Sequence, residues 1–131
     1  MRAAAALLLA CAISLAAGCS NDGDNRPVRS VTVPENGAVE VGAEEYRFDP
    51  GRLVIRGAGS ATRLRLTMRN RGDLAHNLHV RDGEREVASI PSIPPGQERS
   101  LSTALPRGTY EFVCTVADHE DLGMVGELQV R

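Results

Sequence analysis

The chain has no tryptophan, only two phenylalanines and two tyrosines, and no lysine, so all 15 of its basic residues are arginine. With so few aromatics, a core has to be assembled mainly from Val, Leu and Ile. Neither sign of charge dominates: 15 basic residues against 17 acidic ones leave a formal net charge of −2, which gives no reason to expect a nucleic-acid partner. There is no internal repeat, and no second long apolar run follows the one at the N-terminus. Cysteine is scarce as well, with three in 131 residues, at Cys11, Cys19 and Cys114.

The N-terminal run starts with Met1-Arg2 and is apolar and Ala/Leu-rich over residues 3–17. That is too short to span a bilayer as a helix but suits the core of a secretory signal. It ends in Leu15-Ala16-Ala17-Gly18-Cys19 and passes at once into the polar Ser20-Asn21-Asp22-Gly23-Asp24-Asn25. This resembles a bacterial lipobox, although Ala16 stands where Leu is commoner, and Cys11 has too little apolar chain before it to compete. The expected division is a signal peptide over residues 1–18, a polar tether over 19–37 lipidated at Cys19, and one domain over 38–131. Plain secretion without lipid is the alternative. Either way the protein is extracytoplasmic, and lipidation would hold it on a bacterial membrane at the cell surface or in the periplasm.

Processing removes Cys11 and lipid consumes Cys19, which leaves Cys114 as the only thiol of the mature domain. A lone cysteine in an exported protein forms no internal disulfide and is either a reactive thiol or a metal ligand. Residues 38–131 show no sustained helical periodicity. Short alternating runs are broken by turn signals at Pro50-Gly51, Asp82-Gly83, Pro95-Gly96 and Pro106-Arg107-Gly108, the pattern of an antiparallel sandwich. Eight strands are expected, over residues 39–42, 45–48, 53–56, 62–69, 77–81, 98–103, 109–115 and 125–130. In the fourth, Leu64, Leu66 and Met68 alternate with Arg63, Arg65, Thr67 and Arg69, so one face is buried and one wet. In the seventh, Tyr110, Phe112 and Cys114 share the inward parity; in the last, Leu128 and Val130 do.

The chemistry gathers at His76 and then, 38 residues on, at Cys114, His119 and Met124, the last three spaced C-x4-H-x4-M between two strand-like runs. Two imidazoles and a thiolate in one plane, with a weak axial thioether, make a blue copper site: soft sulfur suits Cu(I), and imidazole serves both oxidation states. Cys114 ends one strand, Met124 begins the next and His119 lies on the loop between them. Each residue alone has a bland reading. An inward Cys is usually inert packing, a lone His a satisfied polar group and a lone Met filler; order and spacing together favour the metal. His79, three residues along the same strand, points away from His76 and reads as surface.

Gly108-Thr-Tyr-Glu-Phe-Val-Cys114, Gly123-Met-Val-Gly126 and Ala75-His76-Asn77-Leu78 resemble the segments that carry the copper ligands in cupredoxins, the family of plastocyanin, azurin and rusticyanin, and Tyr46-Arg-Phe48-Asp-Pro50 resembles that family's early Y-x-F-x-P strand entry. The Cys-to-His gap is longer than in plastocyanin and closer to rusticyanin. The resemblance implies an all-β Greek-key sandwich of about eight strands, a single type 1 copper on His76, Cys114, His119 and Met124, and support of the cysteine sulfur by Asn77 and Thr115. It implies a monomer that exchanges electrons with a cytochrome or oxidoreductase, with His119 as the electron port. The acidic Asp118, Glu120 and Asp121 beside that port either steer a basic partner or only keep the loop soluble. Arg63, Arg65, Arg69 and Arg71 read as a solvated face.

Other classes fit less well. Extracytoplasmic copper handling or delivery is the nearest rival, but a chaperone favours exposed clusters of Met or His. A structural module with no redox role has no need of the intact ligand set. A binuclear oxidase site needs a second loop cysteine, and a zinc hydrolase needs paired histidines on a helix and a base.

Overall fold

A computed structural model describes residues 26–131; Cys19 and residues 1–18, expected above to be a signal peptide, lie outside the described residues. Among the described residues, ten strands form two facing sheets. They are β1 (Ser30–Val33), β2 (Ala38–Glu44), β3 (Arg47–Asp49), β4 (Arg52–Ile55), β5 (Ala61–Asn70), β6 (His76–Asp82), β7 (Arg85–Ile93), β8 (Glu98–Pro106), β9 (Gly108–Val113) and β10 (Val125–Val130). One sheet runs β1-β4-β10-β9-β6-β7 and the other β3-β2-β5-β8.

The core follows the alternation read from the sequence. Along β5, Thr62, Leu64, Leu66, Met68 and Asn70 are buried while Arg63, Arg65 and Arg69 are exposed. Tyr110, Phe112 and Cys114 point inward from β9 and its end, as do Leu128 and Val130 from β10. With so few aromatics, Phe48 of one sheet meets Phe112 of the other, ring centroids 5.2 Å apart. A Cβ at position 126 would fall 2.2 Å from the Phe112 ring, so only glycine lets that ring lie across β10.

Three expectations need correction. The sheets are mixed rather than purely antiparallel: β1 and β10 both run parallel to β4, and β2 runs parallel to β5. Two further strands exist. β1 falls inside the stretch read as tether, with its backbone paired to β4, so the ordered body begins before residue 38. β7 contains Pro91 and is mostly exposed, and both features are tolerated because it is an edge strand with no neighbour needing its missing N–H. Finally, residues 45–48 are not one strand. The chain turns at Glu45-Tyr46 between β2 and β3, with Tyr46 at a φ of 57°, an uncommon conformation for a bulky residue.

Candidate metal centre

The centre lies at one end of the sandwich, where β6 starts and where β9 and β10 are joined. Val113 pairs with Val125 at the end of the β9–β10 ladder, and the Cys114 N–H continues it by donating to the Met124 carbonyl at 3.1 Å. The intervening loop is drawn in by its own backbone. The His119 N–H donates to Val116, and the Met124 N–H donates to the His119 carbonyl at 2.9 Å. His76 opens β6, whose register against β7 shifts between His76 and Leu78. Such an irregularity re-aims side chains, and His76, Asn77 and Leu78 are all buried in succession.

Three of the four expected ligands converge. His76, Cys114 and His119 each offer an atom within 4.8 Å of the others, with Cys114 Sγ 3.9 Å from His76 Nδ1 and 3.4 Å from His119 Nδ1. Around one ion, with bonds of about 2.0 Å to nitrogen and 2.3 Å to sulfur, donors at 120° lie about 3.7 Å apart. The two observed separations straddle that value, so the triad fits one ion in trigonal geometry. Met124 is fully buried beside Cys114 and His119 is 3% exposed. Burial first of all holds His76 below its ordinary pKa; the Glu45 hydrogen bond opposes this and the neighbouring His119 adds to it. At neutral pH its imidazole is therefore uncharged, the form that binds metal.

Asn77 and Thr115 are joined to each other. The Asn77 amide donates to Thr115 Oγ1 at 2.9 Å, and the Thr115 N–H donates to Asn77 Oδ1 at 2.7 Å. This pair of hydrogen bonds pins the residue after Cys114 to the residue after His76. His79 sits on the opposite side, half-buried and paired with Glu86. Of the acidic residues near His119, Glu120 is claimed by Arg81 through bonds of 2.8 and 3.2 Å, while Asp118 and Asp121 are exposed. Arg63 and Arg65 project from β5, whereas Arg69 lies 4.0 Å from Glu98 and Arg71 binds Glu40 at 2.6 Å.

Two neighbours were not foreseen, and both come from the β2–β3 turn. Glu45 Oε1 lies 3.3 Å from His76 Nε2, and the Tyr46 ring packs edge-on against His119 with centroids 5.2 Å apart. Tyr46 thus covers the imidazole expected to crown the loop. Burial raises the Glu45 pKa, but the N–H groups of Leu74, Glu45 and Asp73 and the His76 bond outweigh it and hold the carboxyl below its ordinary value. Read as strand residues, the two carried no sign of this role.

A two-sheet sandwich with a buried His-Cys-His triad at one end has the architecture of a cupredoxin. A family model of copper binding proteins of the plastocyanin/azurin family matches residues 35–131, and the chain belongs to that family. With that membership, the triad is the site of a single type 1 copper. Among solved structures, a reduced auracyanin from Roseiflexus castenholzii is 19% identical with a TM-score of 0.63, covering 72% of this chain and 96% of its own. Rusticyanin from Thiobacillus ferrooxidans is 20% identical with a TM-score of 0.64, covering 78% and 82%. Auracyanin A from Chloroflexus aurantiacus is 22% identical with a TM-score of 0.60, covering 79% of this chain and 100% of its own. At these identities the likeness is one of fold. A search of curated protein sequences gave no match.

Proposed function

We propose that the protein is an electron carrier, with His76, Cys114 and His119 holding copper in a plane and Met124 as its weak axial ligand. Copper bound there supplies one-electron exchange between Cu(II) and Cu(I). The observation that carries this reading is the burial of the whole donor set: His76, Cys114 and Met124 are 0% exposed and His119 3%. No substrate can reach a metal enclosed in this way, so the electron passes through the protein without a bond to its partner. The chain's part is to keep the donors fixed, since a rigid site reorganises little between oxidation states. A thioether beside two imidazoles and a thiolate favours copper over zinc, which prefers thiolate, imidazole and carboxylate.

The route outward runs from His119 to Tyr46. Tyr46, Leu122 and Val125 line one open depression, and all three are exposed large hydrophobic residues. Exposed apolar residues of this kind, beside Arg26 and Arg47 in the same lining, suit a redox protein such as a cytochrome or oxidoreductase, approached by a monomeric carrier. The lipobox-like run into Cys19 supports an extracytoplasmic position on a bacterial membrane.

The test is the visible spectrum of copper-loaded, oxidised protein with and without Cys114→Ser. An intense blue or green band is expected in the wild type and none in the variant, with both folded. A colourless wild type, or a band that survives the substitution, overturns the copper-thiolate reading.

A further inference from the structure

Glu45 is held in place from three directions. Its Oε1 accepts the N–H of Asp73 at 2.8 Å and of Leu74 at 2.9 Å, in the loop leading into His76. That loop approaches the carboxylate closely at Gly72, where a Cβ would fall 2.3 Å from Oε1; any larger residue would push the carboxylate away. The loop is itself fixed by buried Asn70, whose amide donates to the Leu74 and Ile93 carbonyls and whose Oδ1 accepts the Gly72 N–H. So positioned, Oε1 lies 3.3 Å from Nε2 of His76, while Nδ1 of the same ring faces Cys114 Sγ. Glu45 belongs to the turn after β2, in the four-stranded sheet, and His76 opens β6 in the six-stranded one. The contact therefore crosses the sandwich and sets an anion behind a buried imidazole.

An imidazole that donates from one nitrogen presents a lone pair on the other, and a carboxylate partner makes that lone pair more basic. Resting on the copper reading above, we propose that Glu45 is a positioning and charge-tuning residue of the metal site. Its carboxylate accepts the Nε2–H of His76, fixes the tautomer that offers Nδ1 to copper and, as an anion, favours Cu(II) over Cu(I). The reduction potential is thus lower than the four ligands alone would set, through a residue whose side chain is one third exposed and touches no metal.

Glu45→Gln separates charge from geometry, because the amide oxygen still accepts from His76 and from the loop. In the copper-loaded protein Glu45→Gln should keep the blue band while the ratio of Cu(II) to Cu(I) affinity falls roughly tenfold, which raises a one-electron potential by about 59 mV. In the copper-free protein, 15N NMR should find His76 protonated at Nε2 in both wild type and Glu45→Gln, and a mixture of tautomers in Glu45→Ala. A Glu45→Gln variant with an intact band and an unchanged potential overturns the charge role. A copper-free wild type protonated at Nδ1 overturns the positioning role. A wild type with no blue band instead defeats the copper reading, and the tautomer measurement then still decides whether Glu45 orients His76.

Discussion

Cys114 and Met124 face each other one rung beyond the β9–β10 ladder, joined by the Cys114 N–H to the Met124 carbonyl at 3.1 Å. The same antiparallel pairing that builds the sheet thus sets the backbones of these two residues opposite each other. Between them the loop is pinched by the bond from the Met124 N–H to the His119 carbonyl at 2.9 Å. Backbone bonds therefore tie three of the four proposed ligands together.

Met124 should tune the site rather than create it, because an axial thioether is a weak donor. Met124→Leu removes that donation, destabilises Cu(II) more than Cu(I) and should raise the potential. Met124→Gln offers a harder oxygen and should lower it. Each shift should exceed a tenfold change in the Cu(II) to Cu(I) affinity ratio, about 59 mV for one electron. Because Leu nearly conserves volume, the copper-free protein should lose less than about 1.5 kcal/mol. Voltammetry and denaturant unfolding measure the two effects separately; equal potentials in all three proteins would mean that Met124 is not a ligand.

The Asn77–Thr115 pair should contribute to stability without copper. Asn77 is 8% exposed, so Asn77→Ala strands the Thr115 N–H and should cost about 1–3 kcal/mol in the copper-free domain. Thr115→Val removes only a hydroxyl from an exposed residue, where water can replace it, and should cost about 0.5–1 kcal/mol. Urea unfolding of the two variants and the double variant reads the coupling. Simple additivity would show that the bond from Asn77 Nδ2 to Thr115 Oγ1 is not made in solution.

What could be read from the sequence divides along physical lines. Period-two alternation reports which face of a strand is buried, so β5, β9 and β10 were plain and Cys114 could be placed inward. It does not report which strand lies alongside, and for that reason the parallel pairings of β4 with β1 and β10 were not anticipated. β1 and β7 bury little and lie at sheet edges, where the alternation fades and Pro91 is allowed. The convergence of His76, Cys114 and His119 was legible because their order and spacing bring one loop against the start of one strand. Glu45 and Tyr46 were not, because Glu-Tyr-Arg-Phe alternates like a strand and only the left-handed turn at Tyr46 sends the two side chains to the two histidines.

Cys19 should anchor the mature protein through lipid. The small-residue run into Cys19 and the polar stretch after it motivate the expectation. Cys19→Ala should move the protein from the membrane fraction to the soluble fraction of the producing cell, on detergent-free fractionation. Unchanged fractionation would point to an uncleaved apolar segment as the anchor.

The acidic residues around His119 should act unequally on encounter with a redox partner. Glu120 is paired with Arg81 through two hydrogen bonds, so its charge is largely balanced. Asp118 and Asp121 are exposed on the same loop, beside the depression lined by Tyr46, Leu122 and Val125. Exposed charges chiefly alter association rates, and their reach shrinks to a Debye length of ~8 Å at physiological salt. Replacing Asp118 and Asp121 with Asn should therefore slow electron exchange with a basic cytochrome several-fold at low ionic strength and have little effect at high salt. Glu120→Gln alone should change the rate less, because it removes one negative charge where the double variant removes two. Its cost in stability should stay near 1 kcal/mol or below, as for other partly exposed ion pairs. Stopped-flow mixing across a salt series compares the wild type with these variants. If Asp118→Asn/Asp121→Asn matches the wild type at low salt, the loop carboxylates are only solvated surface. The outward arginines of β5, Arg63 and Arg65, then become the charges to test against an acidic partner.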